Sequence, residues 1–434
     1  MPPPSSSSPS APPHAFSKYE IFVIALLAFL QFTVVLDFMI LSPLGAILLQ
    51  ALGITTARFG LVVSAYAVAA GLSGFLAAGF ADRFDRKRLL LFFYVGFVVG
   101  TVLCGLAPNY PILLGARIVT GLFGGVIGSV SLAIVADLFP LAVRGRVMGF
   151  IQSAFAGSQV LGIPIGIFLA NHYGWHAPFL MIAGVSFVVG IVIVLKLRPI
   201  VGHLAAGGRR NPLQHLWRTA TSSRYGTGFA ATMLLATGGF MMMPFGSAFT
   251  VQNQGIPLEK LPLLYMITGV SSLILGPLIG RLSDRLGKYR TFCYASVFGI
   301  ATVIYYTQLN RAPFWLLVVV SIVLFATISG RMVAASALNS AVPTPADRGA
   351  YMSISSSLQQ LAGGAAAMLA GIIVIQTPAG PLERYPLLGW VVATAMFIAM
   401  LLMYRVHRIV SAKPSSPPNH QQPVAQAEPE AHGI

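Results

Sequence analysis

The chain has 434 residues, of which 56% are hydrophobic and only 9% charged. A soluble domain carries about 25% charged residues, so this composition excludes a water-dissolved globular protein and makes lipid the solvent. The formal charge of +16 would suit nucleic acid if the basic residues shared one wet face, but they sit in short segments between apolar runs, which favours membrane orientation and no nucleic-acid partner.

Residues 1–17 are rich in Pro and Ser and read as a disordered tail. The first apolar run begins near Ile21 and is too long for the core of a secretory signal. Six spans follow in an N-terminal half, residues 18–197, at 20–48, 58–80, 89–107, 112–136, 147–170 and 178–197. A basic, glycine-containing linker covers 198–224. A C-terminal half, 225–408, holds six more, at 225–250, 261–280, 291–308, 314–338, 351–375 and 386–406. Residues 409–434 form a second polar, Pro-rich tail. Each run can cross about 30 Å of hydrocarbon as a helix, and lipid offers the backbone no other partners. The expectation is an all-α membrane protein with twelve transmembrane helices.

Twelve spans put both termini on one side. That side then carries 21 of the 27 Lys and Arg, the opposite side 4, and two, Arg117 and Arg331, lie inside spans. The excess makes the termini cytoplasmic. Cys104 and Cys293 fall inside apolar runs and read as free thiols, with no disulfide framework or metal site.

The chain repeats itself. "ADRFDRKR" follows the second span and "SDRLGKYR" the eighth, with Asp82 and Asp284 202 positions apart. "FMILSPLG" from Phe38 echoes "FMMMPFG" from Phe240, also 202 apart, and Arg144-Gly145 returns as Arg348-Gly349. Echoes near one offset predict two pseudo-symmetric six-helix halves, a transporter architecture with the solute site between them.

Charge at the bilayer centre costs at least about 2.5–3.5 kcal/mol on insertion scales, so residues that carry it there are candidates for function. Asp37 is the one acidic residue deep in a span. It is read either as a group that couples protons or holds a solute cation, or as half of a structural ion pair. Arg117 on the fourth span is its natural partner. Arg331 on the tenth has no acidic residue in its half. It would hold an anionic solute group, or bond to backbone carbonyls in a cavity. Pro164 and Pro244 should bend their helices. Gly121, Gly124, Gly125 and Gly128 have the small-residue spacing of close helix packing. The eight histidines lie in tails, loops or span edges, and no nucleotide-binding loop is present, which disfavours a membrane enzyme or an ATP-driven pump.

These residues resemble the major facilitator superfamily of secondary transporters over about residues 20–406. The family signature G-x-L-A-D-R-x-G-R-K appears at Ala78–Lys87, keeping Asp82, Arg83, Arg86 and Lys87. Its second copy, Gly280–Lys288, keeps Gly280, Leu282, Asp284, Arg285, Gly287 and Lys288. The helix-4 pattern R-x-x-x-G matches Arg117 and Gly121, with Thr120 where Gln is expected. "GIPIG", with Gly162, Pro164 and Gly166, is similar to a loose form of the antiporter pattern of helix 5. Within the superfamily the chain is most similar to bacterial drug:proton and sugar-efflux antiporters.

The resemblance implies a monomeric transporter of the bacterial inner membrane that is not an enzyme. It would export a small organic solute by alternating access, with no cofactor and a proton gradient as energy source. An importer or uniporter on the same fold is the alternative. The resemblance gives Arg117 a part in proton coupling. It also implies a cytoplasmic gate from both signature loops, formed when the outside is open. There Asp82 approaches the start of the eleventh span near Tyr351, Arg86 bonds Asp137, and Asp284 with Arg285 faces the fifth span near Val147. Asp85 stands where the family has glycine. Aspartate tolerates the positive φ of such a turn, so the turn is expected to survive.

Overall fold

The computed structural model describes residues 16–412 except 78, 206–211, 345–346 and 378–379, so most of both tails and the middle of the linker lie outside it. Apolar runs that cannot bond to solvent bond to themselves, and the described chain is helical nearly throughout. In the N-terminal half the helices are α1 (Lys18–Ile40), α2 (Gly45–Ala51), α3 (Thr56–Ala77), α4 (Arg86–Gly105), α5 (Tyr110–Leu138), α6 (Leu141–Gly157), α7 (Ile163–Tyr173) and α8 (Ala177–Lys196). The linker carries α9 (Gly202–Ala205) and α10 (Pro212–Ala220). The C-terminal half follows with α11 (Ser223–Met242), α12 (Gly246–Ala248), α13 (Leu261–Leu286), α14 (Lys288–Gln308), α15 (Phe314–Ser340), α16 (Arg348–Ile373) and α17 (Tyr385–Ser411). A short antiparallel hairpin, Ile375–Gln376 with Leu382–Glu383, precedes α17.

Local chemistry sets the ends. Ser17 and Glu20 form a reciprocal capping box on α1. Asn109 caps α5, with proline in the first turn. Gly287, at φ +92°, separates α13 from α14. Three rods are broken where proline removes a donor. The first is interrupted at 41–44, around Pro43, between α1 and α2. The fifth passes through a π-turn at Ser158–Gly162 just before Pro164. The seventh changes to a 3₁₀ turn at Met243–Phe245, around Pro244, and later to a π-turn at Phe249–Asn253.

Each expected span therefore has a helical rod. Among the described residues ten rods are long and apolar enough to cross a membrane. α14 and α16 fall short of that composition, and α16 carries "SISSSLQQ" within it.

The apolar cores show how the halves meet. Let the side carrying the chain termini be the near side and the opposite one the far side. One core at the far side combines residues of both halves, including Ile40, Leu44, Phe59 and Ile163 with Met242, Phe245, Ala367 and Tyr385. Toward the near side the core divides. One cluster belongs to the N-terminal half, around Leu27, Tyr94 and Ile134. Another, around Phe229, Phe292 and Tyr351, belongs to the C-terminal half, with Phe75 of α3 packed against it. α3 and α16 approach backbone to backbone: a Cβ on Gly60 would lie 2.7 Å from the Ala367 carbonyl oxygen. Small residues allow such packing where lipid supplies no hydrophobic drive.

Candidate functional site

The buried charge of the N-terminal half is a pair. Asp37 is 0% exposed and Arg117 1%. Arg117 Nη1 donates to Asp37 Oδ2 at 2.8 Å and to the Asp37 carbonyl oxygen at 3.3 Å. The Thr101 hydroxyl on α4 donates to Asp37 Oδ1 at 3.3 Å. The guanidinium carbon lies 4.5 Å from the centre of the Tyr66 ring on α3. The site thus draws on α1, α3, α4 and α5. Arg117 Nε has no hydrogen-bond partner. Sequence reasoning placed Asp37 and Arg117 together but missed Tyr66 and Thr101, because a span tyrosine or threonine carries no charge to mark it.

The helix-5 glycines pack against α1, the helix that bears Asp37. A Cβ on Gly162 would sit 2.6 Å from Leu36 of α1, and Gly166, one turn later, faces Ile40. Pro164 follows the π-turn. There the Ile163 N–H bonds to the Ser158 carbonyl. The three residues form the seam that lets α7 lie against the segment bearing Asp37.

Arg331 on α15 stands apart from the pair. It is 4% exposed, with its guanidinium carbon 5.7 Å from the centre of the Phe292 ring. Its Nε and Nη2 have no hydrogen-bond partner. Ser296, one turn beyond Phe292 on α14, is also buried with an unbonded hydroxyl. An uncompensated buried cation is costly.

The halves are tied at the far side. Four hydrogen bonds join them among the described residues, and all four lie there. The Ser42 hydroxyl donates to the Met243 carbonyl, and the Ser247 hydroxyl to the Ser42 carbonyl at 2.9 Å. Thr56 Oγ1 donates to the Val374 carbonyl at 2.6 Å, and Asn171 Nδ2 to the Leu258 carbonyl at 3.1 Å. The first two connect the repeat-related breaks around Pro43 and Pro244. The sequence echo that revealed the repeat is therefore also the closure. With a shared far core and divided near cores, the chain is closed at the far side.

The near-side loops differ from each other. Arg86 Nε meets Asp137 Oδ2 at 2.9 Å although the far side is closed, since both residues belong to the N-terminal half and the bond does not span the halves; Nη1 donates to the Ala81 carbonyl at 3.0 Å. Arg83 is exposed. The Asp82 side chain lies outside the described residues. Asp284 does not face the fifth rod: it is 73% exposed and meets Lys288 at 3.4 Å, and Arg285 is exposed. The resemblance ties that contact to the state with the far side open, and here the far side is closed. α13 meets the fifth rod farther along, where a Cβ on Gly269 would lie 3.0 Å from Gln159.

The expected turn at Asp85 is not there either. Asp85 has φ −55°, whereas Gly287 has φ +92°. Its carboxylate instead caps α4, accepting from the Lys87 N–H at 3.0 Å, and also accepts from the Ile200 N–H at 2.9 Å. The Arg86 N–H donates to the Ile200 carbonyl at 3.2 Å. Asp85 therefore does not imitate glycine. It fastens the start of the linker to the signature loop.

On the C-terminal half, Asp347 before α16 accepts from the Tyr225 hydroxyl at 2.5 Å and from Thr344 Oγ1 at 2.8 Å, with His215 of α10 at 3.7 Å. These bonds hold its carboxyl below the usual carboxylate range.

Among known proteins, the family model of the Major Facilitator Superfamily matches residues 27–330 and 229–431. An uncharacterized MFS-type transporter of Bacillus subtilis (strain 168), YceJ, is 29% identical over 264 residues, 60% of this chain and 66% of that protein. A probable sugar efflux transporter of Mannheimia succiniciproducens is 23% identical over 266 residues, 61% of this chain and 66% of that protein. The chain thus spans just under two thirds of the length of each. The crystal structure of the nucleoside transporter NupG is similar with a TM-score of 0.73 at 14% identity, covering 89% of this chain and 99% of that one.

Proposed function

The chain belongs to the major facilitator superfamily, and we propose that it exports a small organic solute in exchange for inward-moving protons. It is a multi-pass membrane transporter of small solutes and not an enzyme. Direction, coupling and the inner-membrane placement with cytoplasmic termini are part of the proposal. The relative named for sugar efflux supports export.

The observation that carries the reading is the Asp37–Arg117 pair, fully buried inside the spans. A carboxylate at that depth can take up and release a proton, as the acidic residues of proton relays in transporters do. Protonation removes its charge, while the guanidinium keeps its own. The pair is then weakened, and the preference between the two open states changes with it. The seam of Gly162, Pro164 and Gly166 sets the position of α1 beside the fifth rod, so movement at Asp37 reaches a helix that faces the other half. Arg331 supplies a buried, uncompensated positive charge that an anionic group of the solute would neutralise. The loops with Asp82, Arg83, Arg86, Asp137, Asp284 and Arg285 act as the cytoplasmic gate when the far side opens.

The test is transport in proteoliposomes with an imposed pH gradient, screening a panel of neutral, cationic and anionic organic solutes. The expected result is gradient-driven flux of at least one solute by wild type and loss of gradient dependence in Asp37→Asn. Flux that ignores the gradient, with Asp37→Asn equal to wild type, points instead to a uniporter.

A further inference from the structure

Arg117 does more than meet Asp37. The Tyr66 ring beneath its guanidinium lies 5.2 Å from Phe38, the residue next to Asp37. Phe38 lies 5.6 Å from Phe240 on α11, in the other half. Phe240 is wedged against α16, where a Cβ on Gly363 would sit 2.6 Å from its ring. An unbroken line of contacts runs from a buried charge pair in one half to two helices of the other.

The backbone cannot absorb a change within this line. α3 and α5 are so close that a Cβ on Gly125 would lie 2.5 Å from Ala70 Cα. Tyr66 and Arg117 therefore ride on one rigid pair of helices, and only their side-chain contact is free to alter. A guanidinium is drawn to a ring face by the quadrupole and to a carboxylate by full charge. The titratable groups around Asp37 among the described residues are Arg117 of α5, Tyr66 of α3 and Cys104 of α4. Once Asp37 is neutral, the full charge opposite the guanidinium is gone, while the Tyr66 ring face and the Asp37 carbonyl oxygen, 3.3 Å from Nη1, remain beside it.

We propose that Tyr66, with Phe38 and Phe240, transmits the charge state of the Asp37–Arg117 pair to the contact between the halves. This rests on the reading of Asp37 as the proton-coupling group. Neutralising Asp37 transfers the guanidinium toward Tyr66, the ring shifts against Phe38, and the Phe38–Phe240 contact of the far-closed state changes. Tyr66 is a positioning residue in this scheme and touches no solute.

The experiment measures far-side distances in the full chain in nanodiscs, by pulsed electron resonance between nitroxides at Ala51→Cys and Glu259→Cys, one exposed site per half. Cys293 is replaced by serine, and Cys104 is buried. Asp37→Asn should shift the ratio of far-closed to far-open populations by roughly fivefold or more. The same shift should survive in Tyr66→Phe, which keeps the ring. It should fall below about twofold in Tyr66→Leu and in Phe240→Leu, which lack a link of the line. An equal shift in Tyr66→Leu and Tyr66→Phe overturns the relay and leaves the role of Asp37 standing. No shift from Asp37→Asn in any background overturns both.

Discussion

Replacing Arg117 by Met would leave Asp37 as a carboxylate without solvent, bonded only to the Thr101 hydroxyl at 3.3 Å. Removing one partner of a buried ion pair costs about 3–5 kcal/mol, because the remaining charge is uncompensated. Asp37→Asn leaves the opposite charge. There Arg117 keeps the Tyr66 ring at 4.5 Å, and that contact offsets about 1 kcal/mol. The double variant removes both charges and should cost no more than about 1 kcal/mol. The two single costs would sum to about 5–9 kcal/mol if independent, so the cycle should show strong coupling. The two singles should also differ with pH. In Arg117→Met, Asp37 can neutralise itself by taking a proton, so the cost shrinks in acid, whereas Arg117 in Asp37→Asn has no such escape. Unfolding free energies in bicelles, measured for all four proteins at two pH values, give every quantity needed. Single variants costing under about 1 kcal/mol each, and adding in the double, would refute the view that this pair is sealed from water.

Three further outcomes follow from the loops and the closure. Asp85→Ala removes the cap of α4 and should cost about 1 kcal/mol, with faster amide exchange at Lys87 and Ile200 than in wild type. Asp347 is held below its unfolded value, so its contribution is present above about pH 4 and is lost as pH falls through the folded value. Melting curves from pH 7 to pH 3 should therefore decline less steeply in Asp347→Asn. Ser42→Ala with Ser247→Ala removes two closure bonds worth about 0.5–1.5 kcal/mol each. Cysteine accessibility at the far side should rise, and unchanged labelling would count against the closure.

The rods were legible because lipid forces helix on any apolar run, and the positions of Pro43, Pro164 and Pro244 marked the breaks. Asp37 and Arg117 were legible because charge in a span is costly and rare. The repeat located the closure without revealing it: only the fold shows that "SPLG" and "MPFG" touch each other. Asp85 misled, since a glycine position was read through φ alone. Its carboxylate found two N–H donors, one of them 115 positions away at Ile200, and the turn reorganised around them. Asp284 misled because α13 meets the fifth rod only farther along, near Gln159, which a loop signature does not record, and its end stays exposed beside Lys288. Tyr66 left no trace in the sequence, since its role depends on which helix faces which.

The proposal that Asp37 carries the exchanged proton is tested most directly by following the lumenal pH of proteoliposomes loaded with a pH-sensitive dye. A solute from the transported set is added on one side with no imposed gradient. Wild type should move protons opposite to the solute, and Asp37→Asn should move solute down its own gradient with no change in dye signal. A proton signal of wild-type size from Asp37→Asn would contradict the assignment.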